Sequence, residues 1–141
     1  MTQQIATTPA KPKLTESEKI TINLGFVDLG QIDLLVSEGF YSNRTDLIRT
    51  AIRNQLSTHS EVVKQVIARK MLVLGLQHFS ADDLRAVQAA RQTLQIRVLG
   101  LAVIAPDVTP ELALATISSL EVLGALQASP AVKAALASRL R

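Results

Sequence analysis

The chain has 141 residues, no cysteine, 48% apolar residues and a formal net charge of +3. This length allows one domain or two small ones, and the apolar fraction is enough for a sizeable core. The absence of cysteine excludes disulfides, thiolate metal sites and cysteine nucleophiles, and it fits a reducing cytoplasm. Up to Thr58, six basic residues balance six acidic ones. Affinity for a polyanion must therefore come from placed contacts rather than from overall charge.

The N-terminus gives no sign of a targeting or membrane segment. Residues 1–17 are polar, contain Pro9 and Pro12, and show no hydrophobic periodicity, which predicts a flexible arm without a signal core. The longest apolar run, residues 98–106, is too short to span a bilayer. We therefore expect a cytoplasmic protein that has no contact with membranes.

A short β-strand is predicted directly after this arm, over Lys19 to Leu24. Ile20, Ile22 and Leu24 alternate with polar residues, so the three apolar side chains share one face of the strand. A single strand cannot satisfy its own hydrogen-bonding edges. Because no second strand of this kind occurs nearby, we expect pairing with the same strand of another copy.

Two helices are predicted next, over residues 27–38 and 43–56. In the first, Leu29, Ile32, Leu35 and Val36 recur at helical spacing, and Gly39 follows the last turn, as a terminating glycine should. In the second, Ser42 is the predicted N-cap and Asp46 lies in the first turn, where an acid is favoured. The predicted buried face of the second helix consists of Ile48, Ala51, Ile52 and Leu56.

This strand and helix pair resembles the ribbon-helix-helix family of bacterial repressors, which includes the CopG, Arc and MetJ types. The matching segments are Ile20 to Leu24, the turn Gly39 to Asp46, and Leu47 to Arg53. Gly25 departs from the usual proline, and Gly30 interrupts the first helix. The resemblance implies a homodimer in which both helices contribute to a shared core. The implied dimer-core residues are Ile20, Ile22, Leu24, Ile32, Leu35, Ile48 and Ile52.

The polar face of the strand is the candidate DNA-reading surface. An antiparallel two-stranded ribbon fits the major groove, where its outward side chains meet base edges. Asn23 can pair bidentately with adenine, Lys19 can donate to guanine, and Thr21 suits either an acceptor or a thymine methyl group. By resemblance, these three positions match the base-contacting residues of the family. The alternative is an ordinary solvent-exposed strand face.

The start of the second helix is the candidate phosphate-contacting site. Free N–H groups at Asn43 and Arg44, together with the Ser42 hydroxyl, suit an anion, and the family uses this point for a DNA phosphate. The Arg44 side chain either adds a phosphate contact or pairs with a nearby acid. Arg49 and Arg53, further along, are interpreted as structural or surface ion-pairing residues.

The second half of the chain contains an internal repeat. The sequence Val73-Leu74-Gly75-Leu76 recurs at 98–101, and its Val-Leu-Gly triplet recurs in Val122-Leu123-Gly124-Ala125, with spacings of 25 and 24 residues. A helix start follows each copy: Ser80 with Asp83, Thr109 with Pro110, and Ser129 with Pro130. We predict three strand–helix units with parallel strands, stacked like a short solenoid. The alternative is a plain helical bundle in which the recurrence of the Val-Leu-Gly triplet is a coincidence.

Other features of the sequence are explained by helix geometry. Thr58 and Glu61 form a capping-box pattern that predicts a connecting helix to about Arg69, and Leu84, Val87 and Leu94 are read as the apolar stripe of the helix after Ser80. His59 and His78 are too few to form a metal sensor. No nucleophile–base arrangement occurs, so we predict neither enzymatic activity nor a cofactor or metal.

The sequence thus predicts a mainly α protein with short β segments and four parts. These are a flexible arm (1–17), a ribbon-helix-helix domain (18–58), a connecting helix (59–70) and a strand–helix repeat for oligomerisation (71–141). The predicted function is a sequence-specific regulator of double-stranded DNA, a nucleoid-associated repressor acting as a homodimer or higher oligomer. Two alternatives are an autoregulating antitoxin or adaptor whose C-terminal half binds a protein partner, and a polymer-forming architectural DNA-binding protein.

Overall fold

The computed structural model describes residues 17–141, so the predicted arm lies, apart from Ser17, outside the described residues. Three helices come first, followed by three strands that alternate with three shorter helices. The elements are α1 (Phe26–Ser37), α2 (Arg44–Thr58), α3 (Ser60–Lys70), β1 (Val73–Phe79), α4 (Ala81–Ala89), β2 (Leu94–Ile104), α5 (Pro110–Thr116), β3 (Ile117–Gln127) and α6 (Pro130–Leu136), with a 3-10 turn at Ala137–Arg139.

The helices α1 and α2 lie within two residues of the predicted bounds. Gly39 ends α1 as expected: it takes a left-handed φ of +87°, and the N–H groups of Gly39 and Phe40 donate to the carbonyls of Val36 and Leu35. These bonds satisfy carbonyl groups that the end of a helix leaves open. The chain can therefore turn sharply from α1 into α2.

The prediction of a capping box at Thr58 and Glu61 was wrong. Thr58 is the last residue of α2, and its hydroxyl donates to the carbonyl of Asn54 one turn earlier. His59 alone separates α2 from α3 and makes no side-chain cap. The reason is that α2 runs two residues past its expected end, which uses Thr58 inside the helix. The structure thus places the start of α3 at Ser60.

The three strands form one parallel sheet in the order β1-β2-β3. Its register aligns the repeated triplets: Val73 lies opposite Val98, which lies opposite Val122, and the glycines of each triplet align in the same way. The alternative of a helical bundle is therefore wrong. The prediction that Leu94 belongs to the helix after Ser80 was also wrong, because α4 ends at Ala89 and Leu94 is the first residue of β2.

The helices beside the sheet begin at the predicted residues. Ser80 and Asp83 form a complete capping box, and the hydroxyls of Thr109 and Ser129 accept the N–H groups of Leu112 and Val132. Proline follows each of these last two caps at the first helical position, where its missing N–H costs no hydrogen bond. Local hydrogen bonds and prolines thus fix the residue at which each of these helices begins.

The glycines of the triplets permit close approach of the strands. Gly75, Gly100 and Gly124 all have positive φ values. A β-carbon on Gly100 would overlap the carbonyl oxygen of Gly75, and one on Gly124 would overlap that of Gly100. Only glycine fits both the backbone conformation and this contact. Gly100 and Gly124 therefore allow adjacent strands to pack closely.

The hydrophobic core lies between the sheet and α4–α6. Every fully buried residue of the described chain falls between Leu72 and Leu136, including Leu84, Ile117 and Leu120. Helices α1, α2 and α3 contain no buried residue. Within residues 17–141, no helix is long and apolar enough to cross a membrane.

Candidate DNA-binding interface

The segment before α1 has no strand partner among residues 17–141. Residues 17–25 form no regular secondary structure, and they take part in none of the strand pairs or isolated β-bridges. The side chains of Ile20 and Ile22 are 73% and 61% exposed, and Leu24 is also exposed. A segment with three exposed apolar side chains and no backbone partner among the described residues is incomplete as a single copy.

The three predicted base-contacting residues lie on this segment. Lys19, Thr21 and Asn23 are exposed, and none of them makes a hydrogen bond or ion pair to another described residue. If this segment pairs as a strand, alternate side chains point to opposite sides, which would place these three opposite the apolar three. Their donor and acceptor groups are available to a ligand.

Helix α2 begins one residue later than predicted, and its N-cap is Asn43 rather than Ser42. The Asn43 side-chain oxygen accepts the Asp46 N–H at 2.8 Å, while the Asp46 carboxylate accepts the Ser42 N–H at 2.9 Å. The sequence carried the signal, because an Asx residue followed three positions later by an acid resembles a capping box. Ser42 lies just outside the helix, and its hydroxyl has no partner among the described residues.

The first turn of α2 leaves backbone donors open. The N–H of Asp46 is satisfied by the cap and that of Leu47 by the Asn43 carbonyl. The N–H groups of Arg44 and Thr45 find no acceptor among the described residues, as is usual at the start of a helix. Together with the helix dipole, they form a site that suits an anion.

The Arg44 side chain takes the second of the two roles expected for it. Its guanidinium makes two parallel hydrogen bonds of 2.8 Å to the carboxylate of Asp33 in α1. The hydrogen bond from Arg44 is the main cause that lowers the pKa of Asp33; desolvation opposes the shift, and the positive charge of Arg44 adds a smaller lowering. Both side chains are more than half exposed, so the pair mainly fixes the orientation of α2 on α1.

The ion pairs predicted for Arg49 and Arg53 do not form within the described chain. Both side chains are exposed, and neither lies within ion-pair distance of a described carboxylate. Arg49 lies on the same helix as the anion-suited first turn. The sequence thus anticipated an acidic partner for Arg44 without identifying Asp33, whereas the ion-pairing role predicted for Arg49 and Arg53 has no partner among the described residues.

The predicted dimer-core residues that lie in α1 and α2 do not form a closed core. Ile32 and Ile48 are half-buried, while Leu35 and Ile52 stay exposed. An isolated helix pair cannot cover both sides of its apolar stripe. The geometry leaves apolar surface on the helices and on the segment before them.

The ribbon-helix-helix transcriptional regulator family matches residues 15–133 of the chain. The chain belongs to this family. The matched region includes the extended segment, α1–α3 and all three strands, so it reaches far beyond the quarter of the chain on which the sequence resemblance was based. Neither the curated proteins nor the solved structures contain a match. Membership makes this protein a DNA-binding transcriptional regulator, and the family typically dimerises.

Proposed function

We propose that this protein is a homodimeric repressor that binds a specific, palindromic double-stranded operator. The observation that supports this most directly is the unpaired segment at Lys19–Leu24, whose apolar residues are exposed beside a helix pair without a core. Pairing two copies antiparallel would satisfy the strand edges and cover Ile20, Ile22 and Leu24. The twofold symmetry of the dimer then calls for two half-sites.

Base recognition is assigned to Lys19, Thr21 and Asn23. In a two-stranded ribbon these side chains lie on the face opposite the shared core and reach base edges in the major groove. Asn23 carries the most specific contact, because its amide can donate to and accept from one adenine. Their exposure and their lack of partners in the described chain support this assignment.

Phosphate contacts are assigned to the start of α2. The open N–H group of Arg44, the backbone of Asn43 and the unpartnered Ser42 hydroxyl would hold one phosphate of the DNA backbone. The Arg44 guanidinium is engaged by Asp33 in the free protein. We assign it to positioning α2, with the backbone supplying the phosphate contact.

The remaining residues are assigned to assembly. We divide the protein into a DNA-binding domain (18–58), a connecting helix (59–70) and a solenoid-like repeat (71–141) that joins dimers into higher oligomers. The buried core of the repeat and its open strand edges support a rigid, self-associating unit. Cooperative occupation of adjacent operators on the nucleoid would follow.

The decisive test replaces Asn23 with alanine. An operator is first selected from random duplexes with the wild-type protein. Asn23→Ala should weaken binding to it by about 1–3 kcal/mol, with little effect on random DNA. The matched control is Asn54→Ala, an exposed asparagine on α2, which should leave both affinities unchanged.

The same titration separates the repressor from an architectural protein. Wild-type binding is measured by competition between the operator and random DNA over a salt series. A repressor retains a large preference for the operator as salt rises, whereas an architectural protein binds both with similar affinity. Equal affinities, or an equal loss on both DNAs for Asn23→Ala, would contradict sequence-specific repression.

A further inference from the structure

The three-stranded sheet has two outer edges that its own chain covers unequally. No described strand pairs with the outer edge of β1. The outer edge of β3 is met only near its start, where Leu140 forms a parallel bridge with Leu120 and the Arg141 N–H donates to the Leu120 carbonyl at 2.9 Å. Residues 122–126 of β3 have no strand partner on this edge among residues 17–141.

These two open edges match each other in length and register. β1 uses only the second half of β2: its residues 73–78 lie opposite 98–103, and the same six rows continue to 122–127 on β3. The free part of the β3 edge is therefore the part that β1 would need. The bridge at Leu120 lies before the first of these rows.

We propose that β3 of one molecule pairs in parallel with β1 of a second copy, in the register that β1 and β2 already use. Val122 would then lie opposite Val73 of the second copy, and Leu123 opposite Leu74. This inference rests on the assembly role proposed for residues 71–141, but it does not depend on how the protein contacts DNA.

The side chains at both edges favour such a contact. Edge strands of monomeric proteins are commonly protected by charged residues or proline, yet β1 and residues 122–127 contain none. Leu74 is 71% exposed and Leu123 46% exposed, and Val73 is half-exposed although its counterpart Val98 is fully buried. A second copy would give β1 the neighbour that β2 has.

The glycine positions and the helix layer fit the same arrangement. Space is open where a β-carbon of Gly75 would lie, whereas Gly100 and Gly124 each face the carbonyl of the preceding glycine. In the proposed pair, the carbonyl of Gly124 would occupy that space. Helix α5 packs between α4 and α6, so α4 of the second copy would continue the layer beside α6.

The proposed contact is heterologous, because different surfaces of the two molecules meet. Such a contact does not end at two subunits, and it produces rings or open chains. Combined with the twofold ribbon at the other end of the molecule, it would join dimers into an assembly that grows with concentration. It also defines the partner of each exposed edge as the same protein.

Cysteine cross-linking tests this register directly, since the chain has no cysteine. Leu74→Cys protein is mixed with Leu123→Cys protein and oxidised under native conditions. A disulfide-linked product is expected in this mixture, and neither variant alone should give one. The double variant should form covalent products larger than a dimer. The control mixture of Leu74→Cys with Leu99→Cys should stay uncross-linked, because Leu99 lies on the central strand.

The other cross-linking patterns would each overturn the proposal. Efficient cross-linking of Leu74→Cys with itself would indicate antiparallel pairing of two β1 strands. Cross-linking of Leu99→Cys with itself would indicate face-to-face packing of two sheets. No cross-link in any mixture at concentrations where light scattering detects oligomers would mean that another surface joins the subunits.

A charge at the edge provides a second measurement. Leu74→Lys should abolish the growth of the assembly with concentration seen by light scattering and leave dimers that still bind one operator. The control Leu114→Lys changes a partly exposed leucine of α5 and should assemble like wild type. If Leu74→Lys assembles normally, the edge contact is wrong. If wild-type protein shows no operator preference while the Leu74→Cys and Leu123→Cys mixture still cross-links, that result would instead count against the repressor assignment alone.

Discussion

The two halves of this molecule differ in how much of their apolar surface a single copy buries. Residues 72–136 hold every fully buried side chain of the described chain, whereas α1, α2 and α3 hold none. The repeat closes its core with its own strands and helices. The N-terminal segment and helices leave Ile20, Ile22 and neighbouring side chains exposed, and the proposed dimer would make their stability depend on a second copy.

Deleting a buried side chain from each half should therefore have different consequences. Leu120→Ala removes a fully buried leucine from the repeat and should lower its free energy of unfolding by about 2–5 kcal/mol. This loss should not depend on protein concentration. Chemical denaturation at two concentrations, followed by circular dichroism, measures it.

Ile22→Lys provides the contrasting change in the N-terminal half. A charge on the apolar face of the ribbon should prevent dimerisation of the N-terminal module. In wild type, the stability of α1 and α2 should rise with protein concentration; in Ile22→Lys, this stability should be lower and should not depend on concentration. Leu34→Lys, an exposed leucine on α1 away from the predicted stripe, is the control. If Ile22→Lys leaves the concentration dependence unchanged, the N-terminal half does not depend on that face.

The glycine positions permit a comparison inside the repeat. Gly100→Ala brings a β-carbon against the Gly75 carbonyl and also strains a backbone with φ of +140°. At concentrations below those at which the protein assembles, Gly75→Ala has the backbone strain alone, of about 1–3 kcal/mol. Gly100→Ala should therefore be the more destabilising of the two in thermal unfolding. An equal effect would mean that the strands separate to accommodate the methyl group.

The two halves also differ in how far the sequence alone predicted them. The register of the sheet followed from the spacing of Val73, Val98 and Val122, because parallel strands with identical neighbours align identical residues. The anion-suited turn of α2 was predicted one residue early, since Ser42 and Asn43 are both good caps and only the bond to Asp46 decides between them. The contact of Arg44 with Asp33 depends on the packing of two helices, which helical periodicity does not encode.

The choice between Ser42 and Asn43 as the N-cap of α2 leads to a predicted difference in stability of about 1 kcal/mol. Asn43→Ala removes the acceptor of the Asp46 N–H and should lower the stability of the N-terminal half by about 1 kcal/mol. Ser42→Ala should leave stability nearly unchanged, because the cap uses only its N–H, and it should weaken DNA binding equally on all sequences. Thermal unfolding and DNA titration of both variants measure these effects. Equal destabilisation by the two variants would contradict the assignment of Asn43 as the cap.

The smallest expected effect concerns acid, and it involves one carboxylate in each half. The pKa of Asp33 is lowered by its hydrogen bonds to Arg44, and that of Asp83 is lowered first by the Ser80 N–H that it accepts at the start of α4. A carboxylate with a lowered folded-state pKa contributes stability that is complete above the unfolded value, here 3.8. That contribution is lost as the pH falls through the folded-state pKa. Carbon-13 titration of the Arg44→Ala variant should show the Asp33 pKa rising towards its ordinary value while that of Asp83 stays low. A low Asp33 pKa in that variant would mean that α1 is held in place by something other than Arg44.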